Sequence, residues 1–310
     1  MTDTPPPLFD THLLGARRDR AMRRGFAGGA DFLWRRAAEG LAERLDDTAR
    51  AFSRAAVLGT GAGAVSDLVA KRAGADAMTL VDPSAAMLSA ASRPGAVTLH
   101  DPCEVLPLGE GEADLAVSAF LMHWLNDPVG HLVQLRRVLA PDGLMLACLF
   151  GGETLAALRH AFAVAEAELI GGAGPHVAPM ADVRALGAAL QRAGFAMPVA
   201  DVETVRVDYA DPLALMRDLR AMGETNLLSG RLRRSLRRDV LARAALSFVE
   251  HAGTRDGRVQ ARFDLVFLTG WAPGPDQPKA LRPGSAKSRL ADALGTLELP
   301  TGEKPPPRED

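Results

Sequence analysis

Ala55-Ala56-Val57-Leu58-Gly59-Thr60-Gly61-Ala62-Gly63 decides how this chain is read. A short apolar run ends in a glycine-rich turn, and Val65 to Arg72 can start a helix. The next apolar run, Met78-Thr79-Leu80-Val81, closes on Asp82, roughly twenty residues further on. That order is the grammar of a nucleotide-binding βαβ unit. Glycine permits positive φ and lets a ligand approach the backbone without a Cβ in the way. An acid after the second strand is placed to accept hydrogen bonds from ribose hydroxyls.

The spacing narrows the ligand. A dinucleotide fingerprint asks for G-x-G-x-x-G, with the third glycine packing helix on strand. Here Gly59, Gly61 and Gly63 fall at G-x-G-x-G and crowd the turn itself. That form suits a cofactor with no pyrophosphate laid across the strand ends, such as S-adenosyl-L-methionine.

Working outward, strands are expected near 55–58, 77–81, 96–100, 114–120 and 144–150, with helices around 64–73, 84–92 and 129–139. Strands alternating with helices predict an α/β fold with a parallel sheet covered on both faces. Pro141-Asp142-Gly143 reads as a turn before the fifth strand. Ligands in such sheets bind at the carboxyl ends of the strands, where strand order reverses. Gly59 to Gly63, Asp82, Asp101 and Ser118 to Trp124 all follow strands at that edge. After Phe150 the alternation stops. Leu155, Leu158, Phe162, Ala165 and Leu169 step by three and four as an amphipathic helix. Then come a Gly/Pro-rich loop through His176, a helix near 181–193, a strand near 200–208, helices near 212–222 and 230–250, and a strand from Phe263 to Trp271.

Before the core, Phe9 to Arg24 has helical spacing, with Arg17, Arg18, Arg20, Arg23 and Arg24 on what reads as a solvated side. The sharper alternative is a lid over the cofactor, or a docking surface for an acidic partner. A second helix, about Ala30 to Leu45, carries Phe32, Leu33, Ala37, Leu41 and Leu45 on one stripe. Arg231, Arg233, Arg234, Arg237 and Arg238 again read as a solvated face. The expected domain organisation is a disordered start (1–8), one domain over 9–272 with its core at 48–150 and a helical and C-terminal part at 151–272, and a mostly disordered Pro-, Gly-, Lys- and Glu-rich tail at 273–310.

Composition sets bounds on function. A chain of 310 residues that is 47% hydrophobic can bury a full core. Its net charge of −2 gives no global reason for nucleic acid or membrane partners. Cys103 and Cys148 lack metal-ligand spacing and read as reduced, buried thiols of a cytoplasmic protein. No run approaches the roughly 18 apolar residues of a spanning helix, so a soluble protein is expected. No histidine and carboxylate cluster suggests a metal, and neither G-x-S-x-G nor a P-loop is present.

Candidate chemistry is spread along the chain. Asp101 can accept a hydrogen bond from an adenine amino group, or be an ordinary loop acid. Trp124 either packs against a ligand or fills the core. His123 is either a general base or substrate-orienting group, or a satisfied core histidine. His176 lies in a loop of the kind that carries function. Glu224 follows Gly223, a natural helix terminator, and is either functional or part of a helix stop.

With these residues in view, the chain resembles the class I S-adenosylmethionine-dependent methyltransferase superfamily. More narrowly it is similar to the family of the mitochondrial complex I assembly factor that modifies an arginine, with its alphaproteobacterial relatives. The match is carried by Phe9-Asp10-Thr11-His12-Leu13-Leu14, His123-Trp124-Leu125-Asn126-Asp127, Phe150-Gly151-Gly152-Glu153-Thr154-Leu155, Gly174-Pro175-His176-Val177-Ala178-Pro179, Leu186 to Phe195, and Leu215 to Asn226. The carrier-protein methyltransferase of biotin synthesis resembles the first half more than the second.

The resemblance implies a Rossmann-like seven-stranded fold with added helices at the N-terminus and after the fifth strand, S-adenosyl-L-methionine as cofactor, and a role in maturing respiratory complex I by hydroxylating an arginine of a core subunit. It implies that Gly59, Gly61 and Gly63 cradle the methionine part, Asp82 holds the ribose, Asp101 lies at the adenine and Ser118 lines the floor. His123, His176 and Glu224 are the catalytic candidates, and Trp124 joins the cofactor set. The chain departs from the family in two places. Val57 stands where an acid normally precedes the turn, and Thr60 stands where a cysteine is usual. Losing the acid removes a charge-assisted hydrogen bond worth about 1.5–3 kcal/mol. Spacing from Asp101 to Leu106-Pro107 is also one residue longer than is usual in that family. A conventional methyltransferase acting on a small molecule or carrier protein, and a non-catalytic assembly chaperone, are the alternative readings. The expected partner is a complex I core subunit, with no nucleic acid and at most peripheral membrane association through the complex.

Overall fold

In the computed structural model the apolar runs become the strands of one seven-stranded sheet. Residues 6–26, 29–75, 77–101, 103, 105–275, 277 and 290–297 are described. In chain order the elements are α1 (His12–Arg23), α2 (Phe32–Asp46), β1 (Arg54–Leu58), α3 (Ala64–Ala73), β2 (Ala77–Asp82), α4 (Ala85–Ala91), β3 (Val97–His100), β4 (Ala113–Ala119), α5 (Pro128–Val138), β5 (Leu139–Gly151), α6 (Ala156–Ile170), α7 (Val183–Arg192), β6 (Ala196–Tyr209), α8 (Pro212–Met222), α9 (Arg238–Ala252) and β7 (Val259–Trp271). They belong to one compact unit that ends at Pro275; a separate unit from Asp276 contains α10 (Leu290–Leu294). The tail expected to be disordered lies mostly outside the described residues.

The strand order is β3-β2-β1-β4-β5-β7-β6. The first five strands run parallel, while β7 lies antiparallel to both β5 and β6. Strand order reverses between β1 and β4, so their carboxyl ends open the crevice where such sheets take ligands. Alternation along the strands builds two cores. Leu115, Val117 and Ala119 of β4 face α2, α3, α6, α8 and α9, whereas Ala116 faces α5 and α7.

Four local differences from the sequence reading have physical causes. Pro141-Asp142-Gly143 does not precede the fifth strand but bulges from it: Ala113 pairs with Leu139 and Leu115 with Leu144. The first helix starts at His12 because Phe9 bridges Leu228 and the Asp10 N–H donates to the Leu227 carbonyl. The helix expected from 230 starts only at Arg238, since Arg231 is tied to Asp10 (3.1 Å) and the Leu228 carbonyl. On α2 the buried face is broader than one stripe and includes Trp34 and Ala38. The stop that positions Glu224 is as expected. The Asp211 carboxylate caps α8 at the Ala214 N–H (2.7 Å), Pro212 opens it, and Gly223 at φ +83° closes it.

Candidate functional site

At the rim, the Gly59 N–H donates to the Val81 carbonyl (2.9 Å), docking the glycine turn against the end of β2. Gly61 to Gly63 form a single helical turn that leads into α3. Asp82 is fully buried. Its Oδ2 accepts from the Thr60 N–H (2.8 Å) and the Thr60 hydroxyl (3.1 Å), and its Oδ1 accepts from the Ser84 N–H (2.9 Å). Burial pushes the Asp82 carboxyl up from its ordinary value, although Arg18 and these hydrogen bonds pull the other way.

The N-terminal helices lie directly on this rim. Asp19 Oδ1 accepts from the Ser84 hydroxyl (2.6 Å) and the Ala86 N–H (3.1 Å), pinning α1 to the start of α4. Gly15 of α1 presses on the Pro83 carbonyl so closely that a Cβ there would collide with it. From α2, the Trp34 indole lies against Gly61, where a Cβ would come within 2.6 Å of Cε3. Trp34 also packs edge-on to Phe120 at 4.9 Å and lies under the Arg18 guanidinium at 5.0 Å.

Arg18 itself is fully buried, not solvated as its neighbours Arg20, Arg23 and Arg24 are. It donates to the Phe120 carbonyl and to Glu224 Oε1 (3.0 Å). Thr60, Gly61, Gly63 and Asp82 are all buried, Gly61 against Trp34 of α2 and the loop after Asp82 against Gly15 and Asp19 of α1, so the rim is closed over the groups expected to meet S-adenosyl-L-methionine. Yet Arg18 Nε and Nη1 and Trp34 Nε1 have no hydrogen-bond partner. An acceptor arriving there would relieve a penalty of about 1–3 kcal/mol for each buried orphan donor.

Three distant parts of the chain meet around Glu224. Besides Arg18, its carboxylate accepts from the Trp124 indole N–H (2.5 Å) and faces His123 Nε2 at 3.3 Å. Trp124 packs edge-on to Phe9, whose N–H and carbonyl are both bonded by the Asn126 side chain. Burial acts to raise the Glu224 carboxyl, but Arg18, His123 and Trp124 outweigh it and hold it below its ordinary value. Burial lowers His123 despite Glu224 beside it, so the imidazole is neutral near pH 7.

On the far side of Glu224 a cavity of about 490 Å³ opens beneath α8. Its wall is mainly apolar: Phe150, Leu155, Leu158 and Phe162 on one side, Met216 and Leu219 on the other, with Leu241 and Phe263. Glu224 is the one acid among its lining residues, and Arg217 and Arg220 line it from α8. His176 lines it too, stacked on Phe162 at 4.4 Å and bonded to Glu166 Oε1 at 2.7 Å. Burial works against the Glu166 charge, but His176 and the Gly174 N–H hold the carboxyl below its ordinary value.

The structure therefore brings His123, Trp124 and Glu224 together, and sets His176 on the wall of the same cavity as Trp124 and Glu224. Gly59, Gly61, Gly63 and Asp82 sit together at the closed rim. Asp101 follows β3, half-buried, its carboxylate spent on the Cys103 N–H (2.7 Å). Ser118 turns its hydroxyl to His131 of α5 (3.4 Å), away from α1 and α2. Sequence reasoning missed Arg18, Asp19, Trp34 and Glu166. Arg18 shares a stripe with Leu14 and Ala21, and Glu166 shares one with Leu158 and Phe162, which are the signals that mark both as buried.

Residues 57–147 match the methyltransferase domain family. The arginine-hydroxylase NDUFAF5, mitochondrial, of Danio rerio is 35% identical over 94% of this chain and 91% of its own length. Its Homo sapiens counterpart is 32% identical over 96% and 86%. A malonyl-[acyl-carrier protein] O-methyltransferase of Laribacter hongkongensis is 34% identical over 82% and 88%. Among solved structures, the YcgJ protein of Bacillus subtilis superposes with a TM-score of 0.54 at 14% identity, over 76% of this chain and 98% of that one. S-adenosyl-L-methionine is the cofactor that goes with this domain. With the seven-stranded sheet, the glycine turn and relatives matched over most of both chains, the chain belongs to the class I methyltransferase family that includes the arginine-hydroxylase NDUFAF5.

Proposed function

We propose that this protein acts in the assembly of respiratory complex I and hydroxylates an arginine of a core subunit. The observation that carries this reading is the 35% identity to an arginine-hydroxylase over 94% of the chain, which extends through the segments that build the cavity. The cavity suits an arginine side chain in kind. Its apolar wall can pack the methylene stem, and Glu224, held as a carboxylate, gives a guanidinium an anion to approach. His176 and Asn226 also line the cavity, and Asn226 Nδ2 is tied to the Pro175 carbonyl (2.6 Å). In this reading His123 and Trp124 are positioning residues that hold Glu224, and the protein substrate supplies the arginine.

Mass spectrometry of complex I core subunits from a deletion strain tests the reading. It predicts that one arginine loses the mass of a single oxygen atom. Loss of a methylene instead would favour conventional methyl transfer, the reading to which the carrier-protein relative lends weight. Failed assembly with every arginine mass unchanged would favour a non-catalytic chaperone, to which the closed rim lends weight.

A further inference from the structure

The rim and the family disagree: the domain is one that takes S-adenosyl-L-methionine, and in this chain the place for it is filled from within. The filling is specific rather than loose. Thr60 gives Asp82 an N–H at 2.8 Å and a hydroxyl at 3.1 Å, the second being the kind of donor a ribose would offer that carboxylate. The Trp34 ring covers Gly61, the glycine whose missing side chain would otherwise let a ligand reach the backbone. Asp19 spends one carboxylate oxygen on both Ser84 and Ala86, so α1 is fastened to the loop that follows Asp82. Val57 offers no charge to a cofactor's amino group, which leaves less binding free energy with which to displace these contacts. The filling is also incomplete. Arg18 Nε, Arg18 Nη1 and Trp34 Nε1 are buried without partners, so the closed form carries a cost that exchange for an acceptor-bearing ligand would remove.

We propose that α1 and Trp34 form a displaceable plug, and that S-adenosyl-L-methionine enters the rim only when α1 lifts from Ser84 and Trp34 turns off Gly61. The closed form competes with the cofactor, so the measured affinity is the intrinsic affinity reduced by the fraction of molecules that are open. This holds whichever acceptor the cavity takes, and its test does not depend on turnover.

The test is calorimetric titration of S-adenosyl-L-methionine into the full chain and into Asp19→Ala and Trp34→Ala. Asp19→Ala is the primary variant: it removes two hydrogen bonds that fasten α1, from a half-buried position, and leaves the glycine turn and Asp82 intact. Both variants are expected to bind at least about tenfold more tightly than the parent. Hydrogen exchange of the parent supplies a second readout that does not rely on a variant folding: saturating cofactor is expected to speed exchange in residues 12–23. Equal or weaker affinity in Asp19→Ala, absence of binding in all three chains, or slowed exchange across 12–23 in the parent would each overturn the proposal.

Discussion

The rim at the ends of β1, β2 and β4 and the cavity beyond β5 lie on either side of Glu224, and the chain treats them in opposite ways. At the rim a buried guanidinium, a buried carboxylate and an indole close the space with directional contacts. In the cavity, side chains from α6, α8 and α9 stop short of one another and leave a mainly apolar hollow. Family membership and pocket occupancy are therefore separate properties. The glycine turn keeps its form while Gly61 and Asp82 are turned to internal packing, and most of the residues that line the cavity come after Phe150.

The largest expected effect lies at the rim. Arg18→Ala leaves Glu224 buried without its cation, and removing one partner of such a pair costs about 3–5 kcal/mol. Denaturant unfolding checks this, and a loss under about 1 kcal/mol would mean that the two regions are not coupled through Glu224.

On α5, beside Ser118 of β4, His131 gives a pH signature. Burial holds its imidazole at about 4, with Nδ1 on the Cys103 carbonyl (3.1 Å) and Nε2 toward Ser118. An unfolded histidine titrates near pH ~6.5. Between those values the unfolded chain binds the proton and the folded one does not, so stability falls as pH drops from ~6.5 to 4, by about 3 kcal/mol, and levels off below. Unfolding curves across that window check it, with His131→Gln expected to lack the slope.

On the cavity side effects on stability are smaller. Glu166→Gln loosens the His176 loop and costs about 1.5–3 kcal/mol. Because the folded carboxyl titrates below its ordinary value, this contribution is present above pH ~4.3 and is lost as pH falls through the folded value. Thermal melts of parent and variant should therefore differ most at pH 7 and draw together as the pH falls below ~4.3. The smallest effect on folding comes from Met216→Trp, a half-buried position on the wall that has space beside it. Stability should change by less than about 1 kcal/mol, while arginine modification of complex I in cells is lost. Retained modification would take the acceptor out of this cavity.

Much of the scaffold was legible because its signals are local. Helix α3 begins after Gly63 and α8 ends at Gly223, as punctuation alone predicts. Strand order was not legible from spacing, since pairing partners far apart in the chain leave no local trace; the resemblance supplied seven strands, and the structure their order. The site was half legible. His123, Trp124, His176 and Glu224 stood out in the sequence; the structure sets Trp124, His176 and Glu224 on the cavity wall and His123 against Glu224. Arg18 was misjudged because an arginine in a run of arginines reads as solvated, and only Leu14 and Ala21 on its stripe argue otherwise. Trp34 was missed because α2 is buried over more than the one face that periodicity marks. That Asp82 spends its hydrogen bonds on Thr60 is a tertiary fact to which the sequence held one clue, the threonine itself.

A crystal structure of the full chain grown with S-adenosyl-L-methionine tests the central contrast most directly. Cofactor density at the glycine turn is expected together with α1 lifted from Ser84 and Trp34 turned off Gly61. Cofactor seated between Gly61 and Asp82 with both still in place would contradict it.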